Sequence, residues 1–126
     1  MKRLTACATL TAIALLVAPT AAVAEPESPF SDTWTSRGGV VGDLTWYNRS
    51  VGVNGDVIDY ETEGSTTVEF KFYQASTLLD VQTRTASNEV KPFGWTEEGP
   101  SGGITRVDIT LIHGGDERFV ASIPRP

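Results

Sequence analysis

A chain of 126 residues, 40% hydrophobic and 21% charged, has the composition of an ordinary globular protein with room for one domain, which excludes disordered and collagen-like chains and a second catalytic domain. Its formal charge of −6 includes Lys2 and Arg3, so the chain beyond residue 24 carries 16 acids against 8 basic residues, a net of −8. Those eight are scattered singly from Arg37 to Arg125 and cannot displace the counterions of a polyanion, so nucleic acid and anionic lipid surfaces are set aside as partners.

In chain order, Met1, Lys2 and Arg3, the apolar stretch Leu4 to Val17, and Ala22-Val23-Ala24 have the three parts of a secretory signal peptide over residues 1–24. The apolar stretch is shorter than the ~20 residues of a membrane span, so no membrane insertion is expected after cleavage. Cys7 is the only cysteine. Leu4-Thr5-Ala6-Cys7 has the form of a lipoprotein tetrapeptide, but it precedes most of the apolar stretch that such a cysteine must follow. Cleavage before Glu25 therefore leaves 102 residues without cysteine, and thiol catalysis, disulfide staples and thiolate metal sites are excluded together.

Residues 25–39 are rich in Pro, Ser, Thr, Asp and Gly, with Phe30 and Trp34 as apolar anchors, and read as an extended N-terminal lead-in. Residues 40–126 then alternate with period two in short runs separated by turn clusters. Leu44 and Trp46 begin the series, and Val51, Val53 and Val57 follow, with Gly55 where a valine would continue the row. Thr66 to Gln74 sets Val68, Phe70 and Phe72 against Glu69, Lys71 and Tyr73. Leu79 and Val81 to Arg84, then Phe93 and Trp95, precede Arg106 to Ile112, where Val107, Ile109 and Leu111 share a face. Phe119, Ala121 and Ile123 close the set. Glu63-Gly64-Ser65, Ala86-Ser87-Asn88, Glu98 to Gly103 and Gly114-Gly115-Asp116 are the turns. One dry and one wet face per strand is the pattern of two antiparallel sheets packed together, and about seven strands match an immunoglobulin-like β-sandwich.

Tyr47 to Val57, Thr83-Arg84-Thr85 and Gly102 to Val107 resemble a set of small secreted actinobacterial proteins, exported single domains with no assigned activity. Such proteins often carry a cysteine pair, which this chain lacks. Size and acidity are also similar to those of the actinobacterial chromoprotein carriers, disulfide-bonded sandwiches that hold an aromatic ligand in a cleft. That second resemblance implies a carrier of a small ligand in an inter-sheet cleft lined by Trp46 or Trp95.

His113 is the only histidine, so multi-histidine metal sites are excluded, and it has no Gly-x-Ser-x-Gly elbow to serve. It reads as a strand-end residue meeting solvent. Asp56, Asp59, Glu61 and Glu63 form the densest acidic cluster and could hold calcium, yet no Asp-x-Asp-x-Asp-Gly loop accompanies them, so a solvated strand end is the simpler reading. Glu97 with Glu98, or Asp59 with Glu61, could serve a carboxylate-dependent hydrolase, but among 16 acids some pair falls at a working distance by accident. Gly102-Gly103 lacks the context of a phosphate loop, and Asn48-Arg49-Ser50 is a glycosylation triplet by pattern only. Trp46 and Trp95 are assigned to the core, which leaves Tyr47, Tyr73 and Trp34 as the aromatic candidates for ligand contact.

The sequence thus points to a secreted, non-enzymatic β-sandwich, without cofactor or metal, that binds a glycan or an extracellular protein at or outside the cell envelope. A small-ligand carrier and a small carboxylate-dependent hydrolase using His113 are the competing readings. The secreted form is expected to begin at Glu25, and intact-mass measurement of protein recovered from the medium checks this; a species retaining Cys7 would overturn it.

Overall fold

The computed structural model describes residues 24–126; apart from Ala24, the signal-peptide reading, Cys7 included, lies outside the described residues. Eight strands, all antiparallel to their neighbours, make up the fold: β1 (Glu27–Trp34), β2 (Gly38–Trp46), β3 (Val51–Asp59), β4 (Thr66–Gln74), β5 (Thr77–Ala86), β6 (Val90–Glu97), β7 (Arg106–His113) and β8 (Asp116–Pro124). They form two four-stranded sheets in the orders β1-β2-β3-β6 and β5-β4-β7-β8. Lettering β2 to β8 as A to G gives A-B-E against D-C-F-G, an immunoglobulin-like order in which D pairs with C rather than E, and β1 is added to the edge of A.

The eighth strand is β1, within the segment expected to be a lead-in. It pairs with β2 over its whole length, from Glu27 opposite Thr45 to Trp34 opposite Gly38. Its inward row is Ser28, Phe30, Asp32 and Trp34, so only half of the row is apolar and the alternation is faint in the sequence. Two bulges also shift the expected faces. Between β4 and β5 the register slips at Phe72/Tyr73, which tucks Leu79 against the core and leaves Val81 40% exposed, while Asp80, Gln82 and Arg84 stand opposite Phe72, Phe70 and Val68. Between β7 and β8 it slips at Ile109/Thr110, so Phe119 is 64% exposed although Ala121 and Ile123 remain on the inner side.

Phe70 is fully buried at the centre of the core. Gly42 and Gly55 face each other across β2 and β3, and a Cβ on either would meet backbone of the partner strand and a phenyl ring within 3.0 Å, that of Phe30 over Gly42 and that of Phe93 over Gly55. The two glycines leave a hollow in the inner face of the first sheet. Phe30 and Phe93 fill it and meet Phe70 edge to face at centroid distances of 5.8 and 5.6 Å, and Trp95 adds a third edge contact at 5.4 Å. Each such pair contributes about 0.5–1.5 kcal/mol beyond the apolar area it buries. Trp46, Phe72, Val107 and Ile109 belong to the same core, as their positions on the apolar faces of their strands require.

Phe70→Ala is expected to cost about 3–5 kcal/mol, a large part of the roughly 5–15 kcal/mol available to a domain. Glu69→Ala, on the outer face beside Lys71, should cost less than about 1 kcal/mol. Urea denaturation of the two variants checks the assignment, and equal shifts would reverse it.

Candidate functional site

The outer face of the first sheet is made of short side chains. Across β1, β2, β3 and β6 its rows are Glu27-Thr45-Gly52-Thr96, Pro29-Asp43-Asn54-Gly94, Ser31-Val41-Asp56-Pro92 and Thr33-Gly39-Ile58-Val90. No aromatic, lysine or arginine interrupts these rows. One ring borders them. Tyr47 continues the alternation of β2 one residue past Trp46, and its amide donates to the Ser50 carbonyl at 3.0 Å to close the β2–β3 turn. Its ring lies across Gly52: a Cβ there would sit 3.1 Å from Tyr47 Cε2 and 3.6 Å from its hydroxyl. The ring edge is therefore held against Gly52, and the residue keeps 40% of its surface in solvent. Beside it stand Thr45, Thr96 and Asn54, which offer hydroxyl and amide groups, and Asp43.

The turn beneath Tyr47 is fixed by Arg125, the residue that follows β8. Arg125 donates from Nη1 to the Tyr47 carbonyl at 2.6 Å and from Nε to that of Ile104 at 2.7 Å, while its guanidinium lies 4.9 Å from the Trp46 ring centre. Burial lowers the Arg125 pKa from its ordinary value. Trp46 itself is buried and donates its indole N–H to Ser28 Oγ at 2.9 Å.

The three aromatic candidates do not converge. Tyr73 faces outward on the second sheet, where the Arg106 guanidinium covers its ring at 4.0 Å. Trp34 closes β1 about 30 Å along β2 from Tyr47, under the Arg37 guanidinium at 4.8 Å and edge-on to His113 at 6.4 Å.

His113 does not meet solvent as expected: the residue is 7% exposed. Its Nδ1 pairs with the Thr66 hydroxyl at 2.9 Å, and that hydroxyl bonds Asp59 Oδ1 at 2.8 Å. Asp59 Oδ2 accepts the Asn88 amide at 2.7 Å, and His113 Nε2 lies 3.2 Å from Glu61 Oε1. These three buried polar side chains tie the ends of β3, β4 and β7 to the β5–β6 crossover. Thr66 is fully buried and its hydroxyl is shared between His113 and Asp59, so it has no path to a substrate, and the triad-like composition is a structural network. Of the acidic cluster, Asp56 stands on the outer face of the first sheet, Asp59 is in this network, Glu61 faces His113 and Glu63 is exposed in the β3–β4 turn. Among the described residues no group of three His, Cys, Asp or Glu is placed to hold a metal ion.

A carboxyl pair absent from the sequence reading lies at the open β5/β6 side. Glu97 associates with Asp80 across the two sheets rather than with Glu98. Burial first, then the hydrogen bond to Asp80, pushes the Glu97 pKa up to about 7, and that bond is the leading cause of a lowered Asp80 pKa. Trp95 Nε1 donates to Glu97 Oε1 at 3.0 Å, and Arg84 covers the Trp95 ring at 3.9 Å. The signal for this pair was the polar row Asp80, Gln82, Arg84 opposite an apolar row of β4, which the Leu79 bulge concealed. No pocket of ligand size opens among the described residues, either here or beside His113. Comparison of the chain with protein-family models, curated proteins and solved structures found no match.

The raised Glu97 pKa sets the sign of a pH effect. The folded state holds a proton that the unfolded chain releases near pH 4.5, so this contribution to stability is complete below pH 4.5 and is lost as pH rises through about 7. Solvent screening of a carboxyl that is only partly buried keeps the effect to the order of 1 kcal/mol. The wild-type melting temperature should therefore fall across that window relative to Glu97→Gln by several degrees. Thermal scans of both proteins at a series of pH values check this, and parallel curves would remove the shared proton.

Proposed function

We propose that the protein is a secreted, non-enzymatic binding module that recognises a glycan at or outside the cell envelope through the outer face of its first sheet. The observation that carries this reading is the exposed Tyr47 ring, its edge packed against Gly52, beside Thr45, Thr96 and Asn54. A ring with 40% of its residue's surface in solvent can offer a π-face to the axial C–H groups of a sugar, and neighbouring hydroxyl and amide groups suit the sugar's own hydroxyls. The short side chains of the face let a polysaccharide lie along it without displacing protein. Its three acids and lack of basic residues also favour a neutral or cationic ligand over an acidic one.

The competing readings have less geometric support. A carrier needs an inter-sheet cleft at Trp46 or Trp95, but the first is core and the second is sealed by Arg84 and Glu97. A hydrolase needs an accessible base, whereas His113 is buried among protein partners.

The test is retention of the purified chain from Glu25 by insoluble cell-wall polysaccharide. Tyr47→Ala should weaken retention about tenfold or more, equivalent to ~1.4 kcal/mol, with the melting temperature little changed. Tyr73→Ala and His113→Ala should bind as the wild type does. Retention that survives Tyr47→Ala but fails with His113→Ala would move the function to the opposite end of the sandwich.

A further inference from the structure

Each sandwich has four sheet edges, and three of them here are blunted. Strand β1 carries Pro29, which has no amide hydrogen, and its Asp32 is held by Arg118 of β8 at 2.7 Å. Strand β6 contains Pro92 and Gly94, and β8 is distorted by the bulge opposite Ile109/Thr110. Strand β5 differs. From Asp80 to Ala86 it runs in unbroken register with β4, has no proline, glycine or bulge, and exposes Val81, Thr83 and Thr85 on its outer side. Every second residue of that run turns its N–H and C=O away from β4 with no further strand to receive them, and in the single chain Arg84 Nη1 meets the Thr83 carbonyl at 2.8 Å in a strand's place.

The inward residues of the same run decide what can receive them. Asp80, Gln82 and Arg84 bring opposite charges to positions symmetric about Gln82. A foreign strand placed alongside must set its own side chains against an acid and a base, which is how inward charges guard an edge. A second copy in antiparallel pairing, with Gln82 opposite Gln82, instead sets each Asp80 against the other copy's Arg84 and each Val81 against a Thr83. Moving this register by two residues places both charges opposite Gln82 or an uncharged neighbour, so the charges select one pairing. The arrangement is isologous, residues of equal parity meet, and outward donors therefore face outward acceptors.

We infer that β5 is a self-recognition edge, through which two copies of this chain join their second sheets into one eight-stranded sheet about a two-fold axis at Gln82. The occupant is the chain itself because its own β5 offers both charges at the required spacing. The outer face of the first sheet remains free in the dimer, so each assembly carries two copies of the Tyr47 surface side by side. Self-recognition is independent of what that surface binds.

The test is the solution mass of the chain from Glu25, measured by sedimentation equilibrium over rising concentration. The wild type should reach twice the monomer mass. Arg84→Asp, which sets acid against acid in both pairs, should remain monomeric, and Asp80→Arg combined with Arg84→Asp should restore the dimer. Circular dichroism verifies that the variants fold. Because the chain from Glu25 has no cysteine, Gln82→Cys provides a second reading that leaves both charges intact: mild oxidation should convert it to a disulfide-linked dimer, whereas Phe119→Cys on the opposite edge should stay monomeric. A wild type that stays monomeric up to its solubility limit overturns the inference. So does equal cross-linking of the two cysteine variants, or protection of the β5 amides from exchange only when another protein is added.

Discussion

The contact on which the fold turns is the meeting of Phe70 with the Gly42–Gly55 hollow. Two sheets packed face to face stand about 10 Å apart, and a phenylalanine pointing across that gap would strike a β-branched residue on the opposite sheet. Two facing glycines remove the obstruction, and the space is filled by rings entering from the sides, Phe30 from β1 and Phe93 from β6. The close approach of β2 and β3, the inward packing of Phe30 and Phe93 from the outer strands and the position of Trp95 all depend on that arrangement. Without a disulfide in the described domain, aromatic packing supplies the cross-sheet cohesion that a disulfide would otherwise add.

Around this apolar centre the polar residues divide by location. At one end Asp59, Thr66 and His113 satisfy one another under four turns, which removes the desolvation penalty that each would carry alone. Along the β1/β8 side an ion pair between Asp32 and Arg118 spans the sheets. The β5/β6 side is spanned by a proton-sharing carboxyl pair and a cation over an indole. The β5/β6 side titrates near neutral pH through Glu97, which gives that side an electrostatic character of its own. The face bordered by Tyr47 lies outside these networks and has groups free for an external ligand.

Much of this was legible because period-two alternation is a direct record of which residues leave water. Thr66 to Gln74 and Arg106 to Ile112 could be placed to within a residue, and Phe70, Phe72, Val107 and Ile109 were assigned to one core. The glycine at 55 was visible as a gap in a valine row, but its partner at 42 and the rings that fill the gap come from strands that no local pattern links to it. Strand β1 was hidden because an edge strand buries one face against a single neighbour and tolerates Ser28 and Asp32 there. Two bulges inverted the faces of Val81 and Phe119, since one extra residue reverses parity without any mark in composition. His113 was placed at the correct strand end and given the wrong environment, because burial of a lone imidazole depends on Thr66 and Asp59 arriving from other strands.

The route by which the Gly42–Gly55 hollow is filled also governs when the protein can become a folded object. Its two plugs, Phe30 and Phe93, are 63 positions apart in the chain, and the paired strands that carry Phe70 and Ile109 join residues 39 positions apart. No early fragment can conceal its aromatic rings, since β1, β2 and β3 form a sheet whose hollow remains open until β6 has crossed over. Loop-closure entropy must be overcome before these distant contacts return any energy, so folding is slow for a domain of this size and nearly all-or-none. A chain emerging in one direction from a ribosome or a translocation channel thus stays sticky and unfolded until almost its last strand is free.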